Sequence, residues 1–153
     1  MSLGERVRTG AVLGAVGFLA LRVLITLASP HPLLLEMPEA CASTSENCAR
    51  LDGAGGHRMD GVLPLAVPYG GEDDFWAKVD AWAEAEPRVT LLHKDSDFRH
   101  YAVQTEVWGF VDDVTVSVNP TTGEVVMQSS SRVGLSDLGV NPERLTAMAD
   151  ALR

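Results

Sequence analysis

The stretch VTVSVNPTTGEVVMQSS, residues 114–130, has the residue pattern of a β-hairpin. Val114, Val116 and Val118 alternate with polar residues, so the three valines share one face of a strand. NPTTG then supplies the asparagine, proline and glycine that favour a tight turn. EVVMQSS returns with β-branched residues suited to a second strand. The stretch therefore predicts two neighbouring antiparallel strands.

The segments before the hairpin extend this sheet. RVTLLH and FRHYAVQTEV, residues 88–93 and 98–107, alternate in the same way around the turn KDSD and predict two more strands. EDDFWAKVDAWAEAE, residues 72–86, has a helical period instead and places Trp76, Val79 and Trp82 on one face. That face predicts a helix packed on the core.

The segment after the hairpin predicts a last helix. Asn141 is the expected N-cap, Pro142 fits the first turn, and Leu145 and Met148 fall on the buried face. The order is helix, four strands, helix. It predicts an α+β domain: a four-stranded, or five-stranded, antiparallel sheet with two helices packed on one face, preceded by an N-terminal transmembrane helix.

The first thirty residues differ from the rest of the chain. Residues 10–28 form an apolar run of 19 residues behind Arg6 and Arg8, close to the roughly 20 that a spanning helix needs. Arg22 lies past the midpoint, where its long side chain can reach the headgroups. The basic flank predicts an N-terminus in the cytoplasm and a periplasmic or cell-surface body, with the membrane as partner.

Two other interpretations of this segment stay open. Residues 10–21 alone could be the apolar core of a cleaved signal peptide, although TLASPHP offers no clean cleavage site. The segment could also be a soluble helix.

The sequence divides into three parts: an anchor over 1–30, a loop-rich spacer over 31–71 with a short strand at 62–67, and the α+β core over 72–153.

Cys41 and Cys48 lie seven residues apart in a polar loop. An extracytoplasmic compartment would permit a disulfide between them, and two unpaired thiols are the alternative. The chain has no CxxC pair and no histidine spacing typical of zinc sites. The sequence therefore predicts neither a metal nor a cofactor.

Charge makes a nucleic-acid partner unfavourable. The chain has 12 basic and 21 acidic residues, and outside residues 1–30 the balance is 9 basic against 20 acidic. A body this acidic repels phosphate backbones. We expect no nucleic-acid partner.

A polar cluster joins the fourth strand to the last helix, in SSSRVGLSDLGVNPERL, residues 129–145. Asp112 shares the parity of the valines that follow it, so it points toward the core and needs a partner. Arg132 is the predicted partner. The cluster comprises Asp112, Asp113, Ser131, Arg132, Ser136, Asp137 and Asn141. It could be a polar staple that fixes the last helix to the sheet, or a ligand pocket.

Three functions fit these residues. The favoured one is a non-enzymatic binding or assembly module of the cell envelope, whose partner is an envelope protein or an anionic ligand at Arg132. The alternative is a hydrolase that uses Asp112, Asp113 or Glu106 beside Arg132, although adjacent aspartates in a strand point to opposite faces. The third is a calcium site of Asp112, Asp113 and Asp137.

Three segments resemble the successive motifs of the domain of unknown function 1499 family, known from bacteria and plants: NCARLDG, TEVWGFVDDVTV and VVMQSSSRVGLSDLGVNPERL. The resemblance covers about residues 45–150, and Cys41 has no counterpart in it. The matching positions are Asn47, Cys48, Asp112, Asp113, Arg132, Ser136, Asp137 and Asn141. The resemblance implies an uncharacterised domain, often in envelope or plastid settings, and supplies no established reaction.

Overall fold

The computed structural model describes residues 3–153. Its elements in chain order are α1 (Leu3–Ala28), β1 (Cys48–Leu51), α2 (Glu72–Ala85), β2 (Val89–Lys94), β3 (Phe98–Gln104), β4 (Val111–Val118), β5 (Val125–Ser131) and α3 (Val140–Leu152). The predicted α+β class with two helices beside an antiparallel sheet is confirmed.

The sheet has five strands in the order β1-β5-β4-β3-β2, and every neighbouring pair is antiparallel. The predicted hairpin is β4 and β5, which pair from Val118 with Val125 down to Asp112 with Ser131. The fifth strand is β1, at Cys48–Leu51. It does not lie at 62–67, where the chain makes one bridge between Ala66 and Glu124.

The apolar core lies between one face of the sheet and the helices α2 and α3. Val114 and Val116 of β4 are fully buried there, as their alternation predicted. The helices contribute Phe75, Trp76, Val79, Trp82, Leu145, Met148, Ala149 and Leu152. We call this side of the sheet the helix face.

The start of α3 differs from the prediction. Its N-cap is Gly139, whose φ of 92° is a left-handed conformation that suits glycine. Asn141 lies inside the helix and is completely buried. Asn141 does not cap the helix because its side chain is hydrogen-bonded to residues elsewhere in the fold.

Residues 29–40, which we call the strap, cross the opposite face of the sheet. The backbone N–H of Leu34 donates to Nδ1 of His100 at 3.2 Å. Thr115 Oγ1 donates to Sδ of Met37 at 3.4 Å. Prolines within the strap disfavour helix and keep the chain extended. We call this side the strap face.

Helix α1 is long and apolar enough to span a membrane. It touches the body along one side of its C-terminal half. The Phe18 ring meets Trp108 edge-on with centroids 5.5 Å apart, and Gln104 Nε2 donates to Thr26 Oγ1 at 3.3 Å. Arg22 lies between these contacts: its Nε is 3.3 Å from the position that a Cβ on Gly109 would occupy.

A disulfide joins Cys41 to Cys48, with their Cα atoms 5.8 Å apart. Cys48 is the first residue of β1, and Cys41 follows the strap directly. The bond therefore ties the end of the strap to the edge of the sheet.

Candidate functional site

The adjacent residues Asp112 and Asp113 face opposite sides of the sheet. Both lie in β4, where successive side chains alternate between faces. Asp112 points to the helix face and meets Arg144 of α3, whereas Asp113 points to the strap face and meets Arg132. Each carboxylate therefore belongs to a separate network.

On the strap face, Asp113 is held by two side chains, which donate from three nitrogens. Arg132 donates from Nη2 to Oδ1 at 2.8 Å and from Nε to Oδ2 at 3.0 Å. His100 donates from Nε2 to Oδ1 at 2.7 Å. The histidine tautomer follows from its other nitrogen, because Nδ1 accepts the Leu34 N–H and therefore carries no hydrogen.

The electrostatics of Asp113 follow from this network. Burial alone would raise the pKa of its carboxyl, but the hydrogen bonds from His100 and Arg132 outweigh burial and hold the pKa below its ordinary value. The Arg132 side chain is only 4% exposed. Its Nη1 donates to the Pro30 carbonyl at 2.9 Å, so all three guanidinium nitrogens are engaged.

The predicted pairing of Arg132 with Asp112 is therefore wrong. Ser131 lies directly opposite Asp112 in the β4–β5 register, so these two side chains share the helix face. The next residue, Arg132, turns to the other face and meets Asp113. Counting the alternation of side chains along β5 as well as along β4 places Arg132 on the same face as Asp113, and this count needs only the sequence.

On the helix face, Asp112 pairs with an arginine that the sequence analysis missed. Arg144 Nη2 donates to Asp112 Oδ2 at 2.8 Å, and Arg144 Nη1 donates to Ser129 Oγ and to Asn141 Oδ1. Arg144 and Asn141 are three residues apart on α3, which places them on one side of the helix. This three-residue spacing is the feature of the sequence that could have identified Arg144 as a member of the cluster.

Asn141 connects three parts of the chain. Its Oδ1 accepts from Ser129 Oγ at 2.6 Å, and its Nδ2 donates to the Asn47 carbonyl at 3.0 Å and to Ser131 Oγ at 3.1 Å. The start of α3 is thus fastened to β5 and to the residue before β1. This part of the cluster has the contacts of a staple.

Asp137 lies in the loop between β5 and α3 and pairs with Arg58, which the sequence analysis also missed. The guanidinium donates from Nη1 and Nη2 to the two carboxylate oxygens at 2.9 and 2.8 Å. Burial would raise the Asp137 pKa, but the Arg58 hydrogen bond and that from the Gly139 N–H hold it below its ordinary value. The backbone of Ser136, in the same loop, forms an isolated β-bridge with the backbone of Glu46.

A cavity of about 330 Å³, which we call the loop pocket, opens between residues 105–110 and 131–140. Its apolar walls come from Val107, Trp108, Phe110, Val133, Leu138 and Val140. Its polar lining includes Thr105, Asp112, Ser131, Ser136 and Asp137. Four of the seven predicted site residues, Asp112, Ser131, Ser136 and Asp137, therefore meet at one cavity.

Two residues that line the loop pocket, Thr105 and Asp112, each have a buried side-chain oxygen without a partner. Asp112 Oδ1 and Thr105 Oγ1 are buried and have no hydrogen-bond partner within residues 3–153. A buried polar atom without a partner costs about 1–3 kcal/mol. Both atoms have almost no surface accessible to water, so they do not by themselves mark a ligand site.

A second cavity, of about 400 Å³, lies on the strap face beside Arg88, Leu92 and Arg132. Because Arg132 already donates from every nitrogen, the predicted anionic ligand finds no unengaged nitrogen on this side chain. Arg88 lies 3.9 Å from Glu106, whose side chain is 80% exposed. Within residues 3–153, neither of the two unpartnered oxygens belongs to a residue that lines this second cavity.

The acidic residues do not gather into the arrangements that the other hypotheses need. Asp112, Asp113 and Asp137 are each paired with a different arginine. Residues 3–153 contain no group of three His, Cys, Asp or Glu side chains placed to hold a metal ion. A calcium site of these aspartates finds no support in this geometry.

Fold and site together define a class: an α+β domain stapled by buried ion pairs, with a partly apolar pocket, behind a helix suited to span a membrane. The family model described as protein of unknown function (DUF1499) matches residues 36–152, and the chain belongs to this family. No similar chain is found among curated proteins or among solved structures.

Proposed function

We propose that this protein is a membrane-anchored, non-enzymatic binding module of the cell envelope and that the loop pocket is its ligand site. One observation carries the proposal: four residues of the polar cluster, Asp112, Ser131, Ser136 and Asp137, line one cavity together with the apolar side chains of two loops. Arg144 and Arg58 hold the two aspartates of this lining in place. Pockets that combine apolar walls with a few oriented polar groups are typical ligand sites.

The location of the body outside the cytoplasm has two supports. Arg6 and Arg8 precede the apolar helix, and basic residues favour the cytoplasmic side. The disulfide between Cys41 and Cys48 requires an oxidising compartment to persist. Both observations favour an anchor with its N-terminus in the cytoplasm and its body in the envelope.

The geometry favours binding over hydrolysis. The hydrolase alternative uses Asp112, Asp113 or Glu106 as acid or base beside Arg132. Asp113 and Arg132 are paired with each other on the strap face, whereas Asp112 lies on the helix face. Glu106 lines the loop pocket but is largely exposed. Of the residues that the hydrolase alternative names, Asp112 and Glu106 line the loop pocket, whereas Asp113 and Arg132 do not.

The test uses hydrogen exchange of the full chain in lipid nanodiscs with 2-naphthol, a neutral probe with an apolar body and one hydroxyl. We expect the probe to slow amide exchange in 105–110 and 133–140. Val133→Phe fills the pocket and should abolish this protection. Leu92→Phe, an equal enlargement in the strap-face cavity, should retain it. Protection that is absent, or that survives Val133→Phe, would count against the proposal.

A further inference from the structure

We propose that the outer edge of β2 is a docking site for an extended polypeptide segment, which joins the sheet as an additional strand. The segment carries a basic side chain toward the helix face and an acidic side chain toward the strap face. This site is separate from the loop pocket and goes beyond the proposed function. The proposal draws on the backbone of the edge, the cavities on its two sides and their opposite charges.

The two edges of the sheet differ in how their outer sides are paired. At the β1 edge, Arg50 and His57 exchange backbone hydrogen bonds of 3.0 and 2.7 Å. At the β2 edge, no backbone hydrogen bond from elsewhere in residues 3–153 reaches the outer side of the strand. Exposed N–H and C=O groups along a sheet edge form a template for another strand.

The β2–β3 register shows which backbone groups point outward. The Gln104 N–H donates to the Arg88 carbonyl at 3.0 Å, so the carbonyl of Arg88 faces β3. Because these directions alternate along an antiparallel strand, Thr90 also faces β3, whereas Val89 and Leu91 point their N–H and C=O groups outward. The regular register ends after Leu91 at a bulge. An added strand therefore forms its hydrogen bonds with Val89 and Leu91.

The side chains of this edge are exposed and apolar on both faces of the sheet. Leu91 lies on the helix face and is 47% exposed, and Leu92 lies on the strap face and is 37% exposed. Lysines often protect edge strands from pairing. Lys94 is directed elsewhere, because its Nζ lies 2.7 Å from Oδ2 of Asp80 on α2. The edge thus offers apolar area that a partner strand can cover.

A cavity lies beside β2 on each face. On the helix face, a cavity of about 380 Å³ between α2 and β2 is lined by Val89 and Leu91. On the strap face, the cavity of about 400 Å³ is lined by Thr90 and Leu92. Successive side chains of an added strand point to opposite faces, so alternate residues reach the two cavities. Strand addition gains affinity from the main chain and specificity from such cavities.

The helix-face cavity is acidic. Its lining contains Asp80, Glu84 and Glu86 but one cation, Lys94, which is already paired with Asp80. Glu84 and Glu86 are exposed and belong to no ion pair within residues 3–153. A lysine or arginine of the partner strand, placed opposite Val89, complements this charge.

The strap-face cavity has the opposite charge. Its described lining contains Arg88, Arg132 and His31 and no acidic residue. Arg132 is fully engaged, but Arg88 lies 3.9 Å from the largely exposed Glu106, a contact that solvent weakens. An acidic side chain opposite Arg88 therefore finds a cation. In a partner strand antiparallel to β2, this residue directly follows the basic one.

The charges are tested with the fluorescein-labelled octapeptide Ser-Val-Val-Thr-Lys-Glu-Thr-Ser and the full chain in neutral detergent. The second valine is designed to lie opposite Leu91, the lysine opposite Val89 and the glutamate opposite Arg88. We expect saturable binding by fluorescence anisotropy and slower amide exchange at residues 88–92. Absence of either result for the native chain overturns the proposal.

A charge reversal provides the matched control. Replacing the peptide lysine by glutamate should raise the protein concentration for half-saturation about tenfold, because attraction becomes repulsion. The double variant Glu84→Lys, Glu86→Lys should prefer the glutamate peptide instead. Equal binding of both peptides by the native chain would contradict the charge assignment.

The backbone is tested by N-methylation of the peptide. A methyl group on the nitrogen of the second valine, which faces β2, should abolish binding. A methyl group on the following threonine, whose N–H points away from β2, should leave binding unchanged. Equal effects at the two positions would rule out strand addition.

A second copy of the chain is the competing occupant of this edge. Disulfide-linked dimers of Thr90→Cys, together with self-association of the native chain in sedimentation, would show that the edge pairs with itself and would overturn the proposal. We expect monomers in both experiments. The binding of 2-naphthol at the loop pocket does not depend on these outcomes, so the two proposals can fail separately.

Discussion

Arg132 and Asp113 form a two-pronged ion pair in the middle of the sheet, with Nη2 2.8 Å from Oδ1 and Nε 3.0 Å from Oδ2. The pair is nearly inaccessible, since the two side chains are 4% and 8% exposed. It lies on the face of the sheet away from α2 and α3, where the strap covers it. Removing either partner leaves a buried charge without compensation.

We therefore expect Arg132→Ala and Asp113→Ala each to lower the free energy of unfolding by about 3–5 kcal/mol. The double variant should be little worse than either single one, because one interaction is lost in all three. Urea unfolding of the full chain in a neutral detergent measures these values. Lys78→Ala is the control, since its pair with Asp74 is exposed and should contribute under about 1 kcal/mol. Additive losses would show that the two residues act separately.

Acid should weaken the protein partly through Asp113. The folded state lowers the pKa of this carboxyl, and the unfolded value is near 3.9. The unfolded state therefore binds more protons at low pH, so the stability from Asp113 is complete above about pH 4 and is lost as the pH falls further. Comparing urea midpoints at about pH 6 and about pH 3 should show a smaller drop in Asp113→Asn than in the native chain. An identical drop would contradict this role.

Thr105→Val should stabilise the protein by about 1 kcal/mol, because it removes a buried hydroxyl that lacks a partner and keeps the side-chain shape. The measurement is urea unfolding without added ligand. Thr115→Val makes the same change where the hydroxyl donates to Met37 Sδ, and no gain is expected there. A loss of stability in Thr105→Val would mean that this hydroxyl has a partner in solution. A substitution that raises stability at the cost of activity is typical of a functional position.

The disulfide between Cys41 and Cys48 should contribute about 2–3 kcal/mol, the entropy lost by the unfolded chain when so short a loop is closed. The variant with both cysteines changed to serine should unfold at correspondingly lower urea. In intact cells, alkylation before and after reduction should show the pair oxidised. Free thiols in the native chain would contradict an extracytoplasmic body.

Local patterns were sufficient to predict most of the fold. Alternation in Val114, Val116 and Val118 depends only on the two-residue period of a strand, so it predicted both the strand and its buried face. The tryptophans of α2 were placed on the buried face in the same way, from the 3.6-residue period of a helix. β1 was missed because Cys48–Leu51 is four residues long. A strand of that length at a sheet edge has too few residues to show a period.

The site could be predicted only in part because its partners come from distant segments. Arg58 and Asp137 are 79 residues apart in the chain, and no local rule pairs them. Asn141 was assigned a capping role by its place before Pro142, yet contacts with Ser129 and Asn47 take its side chain into the fold. Tertiary contacts override local preference in both cases.

The strap also decides where mechanical tension would act. The Pro30 carbonyl, two residues past the end of α1, is held by Arg132, and Arg132 is held by Asp113 of the central strand β4. A pull on α1 is therefore resisted at the middle strand rather than at an edge strand, which could be unzipped one hydrogen bond at a time.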